Sequence, residues 1–393
     1  MGLTIPDGVQ LTAFDDDFYR DPYAIYEKLR RLDPIHKDAQ SFFGESWTIS
    51  QYSLVHSLLR DDRLSVDPRS IGLRRDPRAD NAVTLREPDM MNLDGDDHQR
   101  LRKLVQKAFT PKLVHQSSDR IERVIDERMA LVTESVFDVV SQLSKPIPTI
   151  VIADFIGVDS SDHEQFKAWT DTLLMQGYPM PSAEQWQAIV AADGELRTYM
   201  VEVIERRRQT PAEDLVSRLT VAQSEEGQLN DREIIDMVCL LIGAGNFTTT
   251  DLISNVIYHS LLQEQGSATP EAIVAECLRF DSPVLAVRRF VKEDIALRDV
   301  VLQKGSVVNL LLGAANHDPD VFPAGDEFQI SASDRSITFG RGVHHCLGAA
   351  LAKMEATLTL TKFRERFPNA KLIDSERSRR MDFRGFRSLS VSA

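Results

Sequence analysis

Apolar residues recur every three to four positions along most of the chain, the spacing that collects them on one face of a helix. The pattern predicts helices over 21–32, 51–59, 98–109, 118–132, 160–175 and 183–208. The last ends in Arg206-Arg207-Arg208, a cluster suited to a solvated helix C-terminus. The stretch 231–262 reads as one helix, which at 1.5 Å per residue runs roughly 48 Å, enough to cross a whole domain. Thr269 and Pro270 form an N-cap and first-turn pair. The helix they open closes near Asp281-Ser282-Pro283. Strand signals are fewer, at 34–49, 284–290, 295–312 and the C-terminal tail, with Lys304-Gly305 as a hairpin turn. No internal repeat, low-complexity tract or inter-domain linker interrupts this order.

Composition narrows the class. The 393 residues allow a large core, and 46 Lys and Arg against 60 Asp and Glu leave a net charge of −14. That excess of acid argues against nucleic acid as a partner, because phosphate neutralisation needs surplus Lys and Arg. Three cysteines, Cys239, Cys277 and Cys346, are too few and odd in number for a disulfide framework and suit a reducing cytoplasm. Cys239, in an apolar run, and Cys277, within a helix, read as packing residues. Residues 1–10 lack a basic region followed by an apolar one, so no signal peptide is expected. No window approaches the roughly 20 apolar residues of a membrane span. The uncharged stretch 237–250 is too short and carries Asn, Gly and Thr. A cytoplasmic protein without membrane insertion is the expectation.

The third cysteine stands in Phe339-Gly340-Arg341-Gly342-Val343-His344-His345-Cys346-Leu347-Gly348, immediately before a further apolar-periodic helix. Glycines let backbone pass close to a flat ligand with no side chain between. N–H groups of the loop and the helix start can point at the sulfur, and the helix dipole favours negative charge there. A thiolate held this way is one of the few axial ligands that proteins give to haem iron. The alternative is a buried structural cysteine beside a glycine turn.

In this run the chain resembles the cytochrome P-450 family, whose haem-ligand signature Phe-x-x-Gly-x-His-x-Cys-x-Gly is matched by Phe339, Gly342, His344, Cys346 and Gly348. The resemblance extends from roughly Asp94 to the C-terminus. It implies one cytochrome P-450 domain over 1–393, mainly α with a small β-rich lobe, and haem b between the long central helix and the cysteine loop. Cys346 would supply the axial thiolate, with Ala244, Phe339, Gly340 and Gly348 around the cofactor. Glu276 and Arg279, at i, i+3, share a helix face, a spacing common on surface helices. Placed before Pro283 and ahead of Cys346, they match the family's structural pair that holds the ligand loop. His98 and Arg102, four apart, share a face too and alone read as a solvated one. By resemblance they bind haem propionates with Arg289 and His344, since buried carboxylates need counter-charges. Arg288 competes with Arg289 for that role.

Ala244-Gly245-Asn246-Phe247-Thr248-Thr249-Thr250 is similar to the family's oxygen-binding groove, where small residues permit a bulge or kink. Thr248 matches the oxygen-activating threonine, whose hydroxyl can both donate and accept. The acid that normally precedes it is Phe247 here, and a phenyl ring passes no proton. Asn246, Thr249 or ordered water could carry the relay, or Asp251, read as lying on a different helix face from the lost acid. Peroxide, which brings its own protons and electrons, is another route. The resemblance thus implies a haem-thiolate monooxygenase, with a peroxide-driven oxygenase or a non-catalytic haem-binding sensor as alternatives.

Leu240, Ala244, Phe247, Leu285, Val287 and Phe383 would line the distal pocket and favour a hydrophobic small-molecule substrate. Residues 66–91 would form a loop over it and 174–181 its lid partner. Arg69, Arg74, Arg75 and Arg78 could anchor a carboxylate or belong to a solvated loop. Met90, Met91, Met175 and Met180 read as adaptable lining or core filler. With no flavin or nicotinamide domain in the chain, electrons would come from a ferredoxin or flavodoxin with its reductase, alongside O2. Arg100, Lys103 and Lys107 form a basic stripe that could dock such an acidic partner or be an ordinary polar face.

Overall fold

In the computed structural model the described residues are 16–38, 45–74, 89–107, 109, 114–115, 117–177, 181–226, 229–263, 268–330, 335–380 and 382–393. The helices are α1 (Asp16–Arg20), α2 (Tyr23–Leu32), α3 (Tyr52–Leu58), α4 (Gly95–Gln106), α5 (Ser118–Ala130), α6 (Pro146–Ile156), α7 (His163–Leu173), α8 (Ala183–Gln209), α9 (Leu215–Glu226), α10 (Asp231–Leu262), α11 (Pro270–Phe280), α12 (Leu312–Ala315) and α13 (Ala349–Arg366). The strands are β1 (Ile35–Lys37), β2 (Ser46–Ile49), β3 (Leu64–Ser65), β4 (Val136–Asp138), β5 (Ala286–Val291), β6 (Ile295–Leu297), β7 (Val300–Leu302), β8 (Val307–Leu311), β9 (Lys371–Arg377) and β10 (Phe386–Ser392).

The helices expected from periodicity are present, their ends displaced by at most three residues. Helix α10 starts where Asn230 and Glu233 cap each other reciprocally, each side chain accepting from the other's backbone N–H at 2.9 Å. Thr269 caps α11 by accepting from the Ala272 N–H, with Pro270 in the first turn. Helix α6 has no amphipathic signal because Ile147, Thr149, Val151, Ile152, Ala153 and Ile156 are all buried. A helix buried all round leaves no polar face to produce a period.

Helix α10 is the axis of the molecule, packed against α6, α11, α13 and β10. It corrects one expectation. The helix contains an 18-residue window of mean hydropathy 1.3, long and apolar enough on composition alone to cross a membrane. More than half of that window is buried inside the fold, where neighbouring helices meet its apolar surface.

A five-stranded sheet of order β1-β2-β8-β5-β3 forms the β-rich part, with β2 and β8 parallel and the other pairs antiparallel. Strands β4-β10-β9 make a second sheet and β6-β7 a two-stranded ribbon. Lys304-Gly305 is a turn, with Gly305 at φ +94°, but it joins β7 to β8, which lie in different sheets. The hairpin turn is at Arg298-Asp299, where Arg298 takes φ +52°. The three arginines closing α8 are paired rather than simply solvated. Arg206 meets Asp159, Arg207 meets Asp214, and Arg208 meets Glu205 and Asp231.

Candidate functional site

The loop before α13 turns twice through positive φ, at Gly340 (+69°) and Gly342 (+76°), where a side chain would strain the backbone. The Cys346 N–H donates to the Phe339 carbonyl at 2.9 Å, and the His345 N–H to that of Gly342 at 3.1 Å. Gly348 occupies the N-cap of α13. Burial pushes the Cys346 thiol up, while the Gly348 and Ala349 N–H groups and the Arg102 guanidinium favour its thiolate. The sulfur-directed amides expected from sequence are therefore in place. The Phe339 ring lies beneath the Lys353 ammonium, 5.5 Å from its centroid.

Beside this loop sits a cluster of basic side chains with almost no counter-charge. The His98 and His344 rings lie 4.1 Å apart, and His344 Nε2 is 3.4 Å from Asp94 Oδ1. Arg102 Nη2 donates to the His345 carbonyl at 2.5 Å. Burial lowers Arg289 to about 10, with Asp94 as the one acid opposing the fall. Burial, then His344 and Arg102, lower His98 to about 4. Both His98 ring nitrogens are buried without a partner among the described residues. Polar groups buried this way are costly unless something accepts from them. The donor set suits an anionic group such as the paired carboxylates of a haem. Arg288 turns elsewhere, to Asn309 at 3.3 Å and Asp382 at 3.4 Å, as alternation along a strand requires. Asp94, which orders His344 and accepts from Ser65, was missed as a functional residue although it opens the His98 motif.

Glu276 and Arg279 form a buried two-pronged pair, 3.0 and 2.5 Å long. Arg279 also donates to the carbonyls of Asn316, Gly325 and Glu327, and Glu276 accepts the Gln329 N–H. The pair thus fastens α11 to the chain that leads toward the cysteine loop.

Helix α10 runs as unbroken α-helix through 244–248, without the bulge or kink its small residues permit. Ala244 is accessible and Thr248 half-buried within an otherwise largely buried helix, and Thr248 Oγ1 donates to the Ala244 carbonyl at 2.9 Å. Asn246 and Thr249 are buried. The Asn246 carboxamide oxygen accepts from Thr149 of α6 at 3.2 Å and from Thr250 at 3.3 Å, which places it away from Ala244 and Thr248. The Phe247 ring lies over Gly243. Asp251 is four residues beyond Phe247, a rotation of about 40° and a rise of about 6 Å. It therefore shares the face of the lost acid, contrary to the different face read from sequence.

Leu240, Val287 and Phe383 are half-buried, and Phe383 bridges to Val284. Leu285 is buried in a separate apolar cluster with Tyr26. Arg69 pairs with Asp67, and Arg74 donates to backbone carbonyls. Met90 and Met175 pack on the main core, whereas Met91 is exposed. Arg75, Arg78, Met180, most of the 66–91 loop and 178–180 of its lid partner lie outside the described residues. In the basic stripe, Arg100 is drawn to Glu233 at 2.5 Å.

Glu355 on α13 gave no motif signal. It is fully buried, its Oε2 has no partner among the described residues, and burial raises its carboxyl to about 8 from 4.5. Between those values the native state holds one proton more than the unfolded chain. Stability is full below the lower value and falls as pH rises through the window, by about 1.4 kcal/mol per pH unit. Glu355→Gln is expected to abolish this loss. Thermal unfolding of the holoenzyme at about pH 5 and about pH 8 checks it. A parallel loss of Tm in the variant and the wild type would contradict the assignment.

A helical fold crossed by one long helix, with a glycine-rich cysteine loop beside a basic cluster in which both His98 nitrogens are without a partner among the described residues, defines a haem-thiolate oxidoreductase. Residues 270–384 match the family model described as Cytochrome P450. The chain is 34% identical to Cytochrome P450 107B1 of Saccharopolyspora erythraea, covering 98% of each. It is 35% identical to the Vitamin D(3) 25-hydroxylase of Pseudonocardia autotrophica, over 92% of this chain and 90% of that one. The crystal structure of CYP109E1 from Bacillus megaterium in complex with corticosterone superposes with a TM-score of 0.84 at 31% identity, over 96% of this chain and 99% of that one. The chain belongs to the cytochrome P450 family. It is a haem monooxygenase whose cofactor carries a cysteine thiolate ligand.

Proposed function

We propose that the chain is a single-domain cytoplasmic monooxygenase that inserts one oxygen atom of O2 into a hydrophobic small molecule, with electrons from a separate ferredoxin or flavodoxin and its reductase. The observation that carries this reading is the cluster of His98, Arg102, Arg289 and His344 beside the Cys346 loop, with Asp94 as the one acid that faces His98 and Arg289 among the described residues. Cys346 Sγ would ligate the iron of haem b, and the four basic residues would hold its propionates. When bound, the haem supplies the oxidising chemistry, and this chain supplies position and electrostatics. Ala244 leaves room on the distal side, and the Thr248 hydroxyl manages protons there. Leu240, Phe247, Val287 and Phe383 present apolar surface that orients substrate and excludes water. A steroid-sized substrate is supported by the hydroxylase relative and the corticosterone-bound neighbour. Conversion of the ferric haem from low to high spin by such compounds, with a hydroxylated product formed at the expense of the electron donor, tests the reading. Turnover with peroxide but none with a reductase would favour the peroxide-driven alternative, which Phe247 motivates.

The partner's docking surface follows from charge. His345 is held down by burial and then by Arg341, Arg102 and Lys353, so these three cations surround the cysteine loop of an acidic protein. Arg100 drops out through its pair with Glu233, and the site shifts to Arg341 and Lys353 with exposed Lys103. Arg341→Glu with Lys353→Glu is expected to raise the KM for reduced ferredoxin about tenfold and to flatten its salt dependence. The spin change induced by substrate stays as in wild type. Unchanged ferredoxin kinetics would move the docking surface elsewhere.

A further inference from the structure

The carboxylate missing at 247 has a counterpart one turn along the same face of α10. Asp251 is 1% exposed and fully enclosed. Arg380, which follows β9, donates to its Oδ1, while Oδ2 is buried with no partner among the described residues. Gly385 lies so close that any side chain there would collide with the carboxylate, so the approach of the C-terminal strands is shaped around this group. Thr248 is three residues away, and its hydrogen is already given to the Ala244 carbonyl, which leaves Oγ1 to accept. Arg380 is 10% exposed, hydrogen-bonds Ser378 at 3.4 Å and stands over the Phe383 ring at 5.8 Å. The pair therefore connects the C-terminal lobe with the threonine turn of α10.

We propose that Asp251, held by Arg380, is the proton source of the distal groove, acting in place of the acid that Phe247 has displaced. The inference rests on the haem-monooxygenase reading and adds the route by which protons arrive. The proton on Asp251 Oδ2 passes through bridging water to Thr248 Oγ1, which hands on its own proton. The carboxylate left behind is stabilised by Arg380, whose guanidinium keeps its own protons throughout, and is reprotonated from solvent through water that enters beside Arg380 and the Ser378 hydroxyl. No electron moves in this relay, and each proton delivered is replaced. The charged groups facing Asp251 are Arg380 and Arg377 from the β9 side and Asp281 from the end of α11. Burial and Asp281 favour the neutral acid and the arginines favour the carboxylate, an opposition that lets the group exchange a proton.

The test compares wild type, Asp251→Asn, the charge-matched Asp251→Asn/Arg380→Gln, and Asp251→Asn/Phe247→Glu, all as haem-loaded protein. Asp251→Asn is expected to keep the thiolate haem spectrum and the substrate-induced spin change. Product formed per electron pair should fall about tenfold, with the balance appearing as peroxide. The charge-matched variant should behave alike, so a folding defect from an unpaired Arg380 does not decide the result. Phe247→Glu should restore at least half of the coupling. An infrared difference between wild type and Asp251→Asn should show a protonated carboxyl band that titrates with pH and moves in Arg380→Gln, a readout independent of turnover. Unchanged coupling in both Asn variants, or no titrating carboxyl band from residue 251, overturns the proposal. Loss of the thiolate spectrum in the wild type would instead sink the haem reading beneath it.

Discussion

Cys346→Ser, loaded with haem, is expected to lose the thiolate signature of its reduced carbon-monoxide spectrum and at least about a thousandfold of its monooxygenase rate, some 4 kcal/mol of barrier. Serine preserves the size of the side chain and the helix start that faces it. The Gly348 and Ala349 N–H groups that favour a charged sulfur remain available. What disappears is a soft, electron-rich ligand, the group through which the protein drives oxygen activation. The measurement separates ligand chemistry from folding, because the variant should unfold within a few degrees of wild type. If the spectrum kept its thiolate character, the ligand would have to be another residue. Cys277 is a poor candidate, since it is enclosed in the core and burial pushes its thiol well above the ordinary value.

Arg279→Ala is expected to have the largest effect on the fold. The change strands the Glu276 carboxylate in the core and removes the donor from three backbone carbonyls. Breaking a buried pair from one side costs about 3–5 kcal/mol, set against a typical total of about 5–15 kcal/mol. Little soluble, haem-loaded protein should be recovered, and what is recovered should unfold at least about 5 °C lower. Arg279→Lys, which keeps the charge but not the two-pronged geometry, should fall between. Arg31→Ala is the control. Its i, i+4 pair with Glu27 is exposed and should be worth at most about 0.5 kcal/mol. Similar Tm values for the two alanine variants would show that the Glu276–Arg279 pair does not fasten the ligand loop.

Much of this fold is legible in the sequence. Helix α10 was legible to the residue because its caps and its apolar run are local properties. The cysteine loop was legible because glycines at positive φ and a helix start leave a fixed spacing. Other features had no local trace. Helix α6 is buried on all sides and so carries no period. The choice of Arg289 over Arg288 depends on which side of β5 faces Asp94, a matter of strand register. Glu355 is an ordinary acid in sequence, and only enclosure by neighbouring helices raises its carboxyl. Arg100 belonged to a plausible stripe until Glu233, 133 residues away, proved to be its partner.

Asp251 shows the division most clearly. By itself the sequence determined that an acid is missing at 247 and that another stands four residues later. From sequence that second acid reads as lying on a different face, but the continuous helix through both positions puts them on one. That Asp251 is enclosed, and that an arginine more than a hundred residues on holds one of its oxygens while the other is left without a partner, only the tertiary structure decided. The reason is physical. Spacing along a helix sets the direction of a side chain, but the dielectric around a carboxyl and the charges that meet it come from whatever the rest of the chain packs against it.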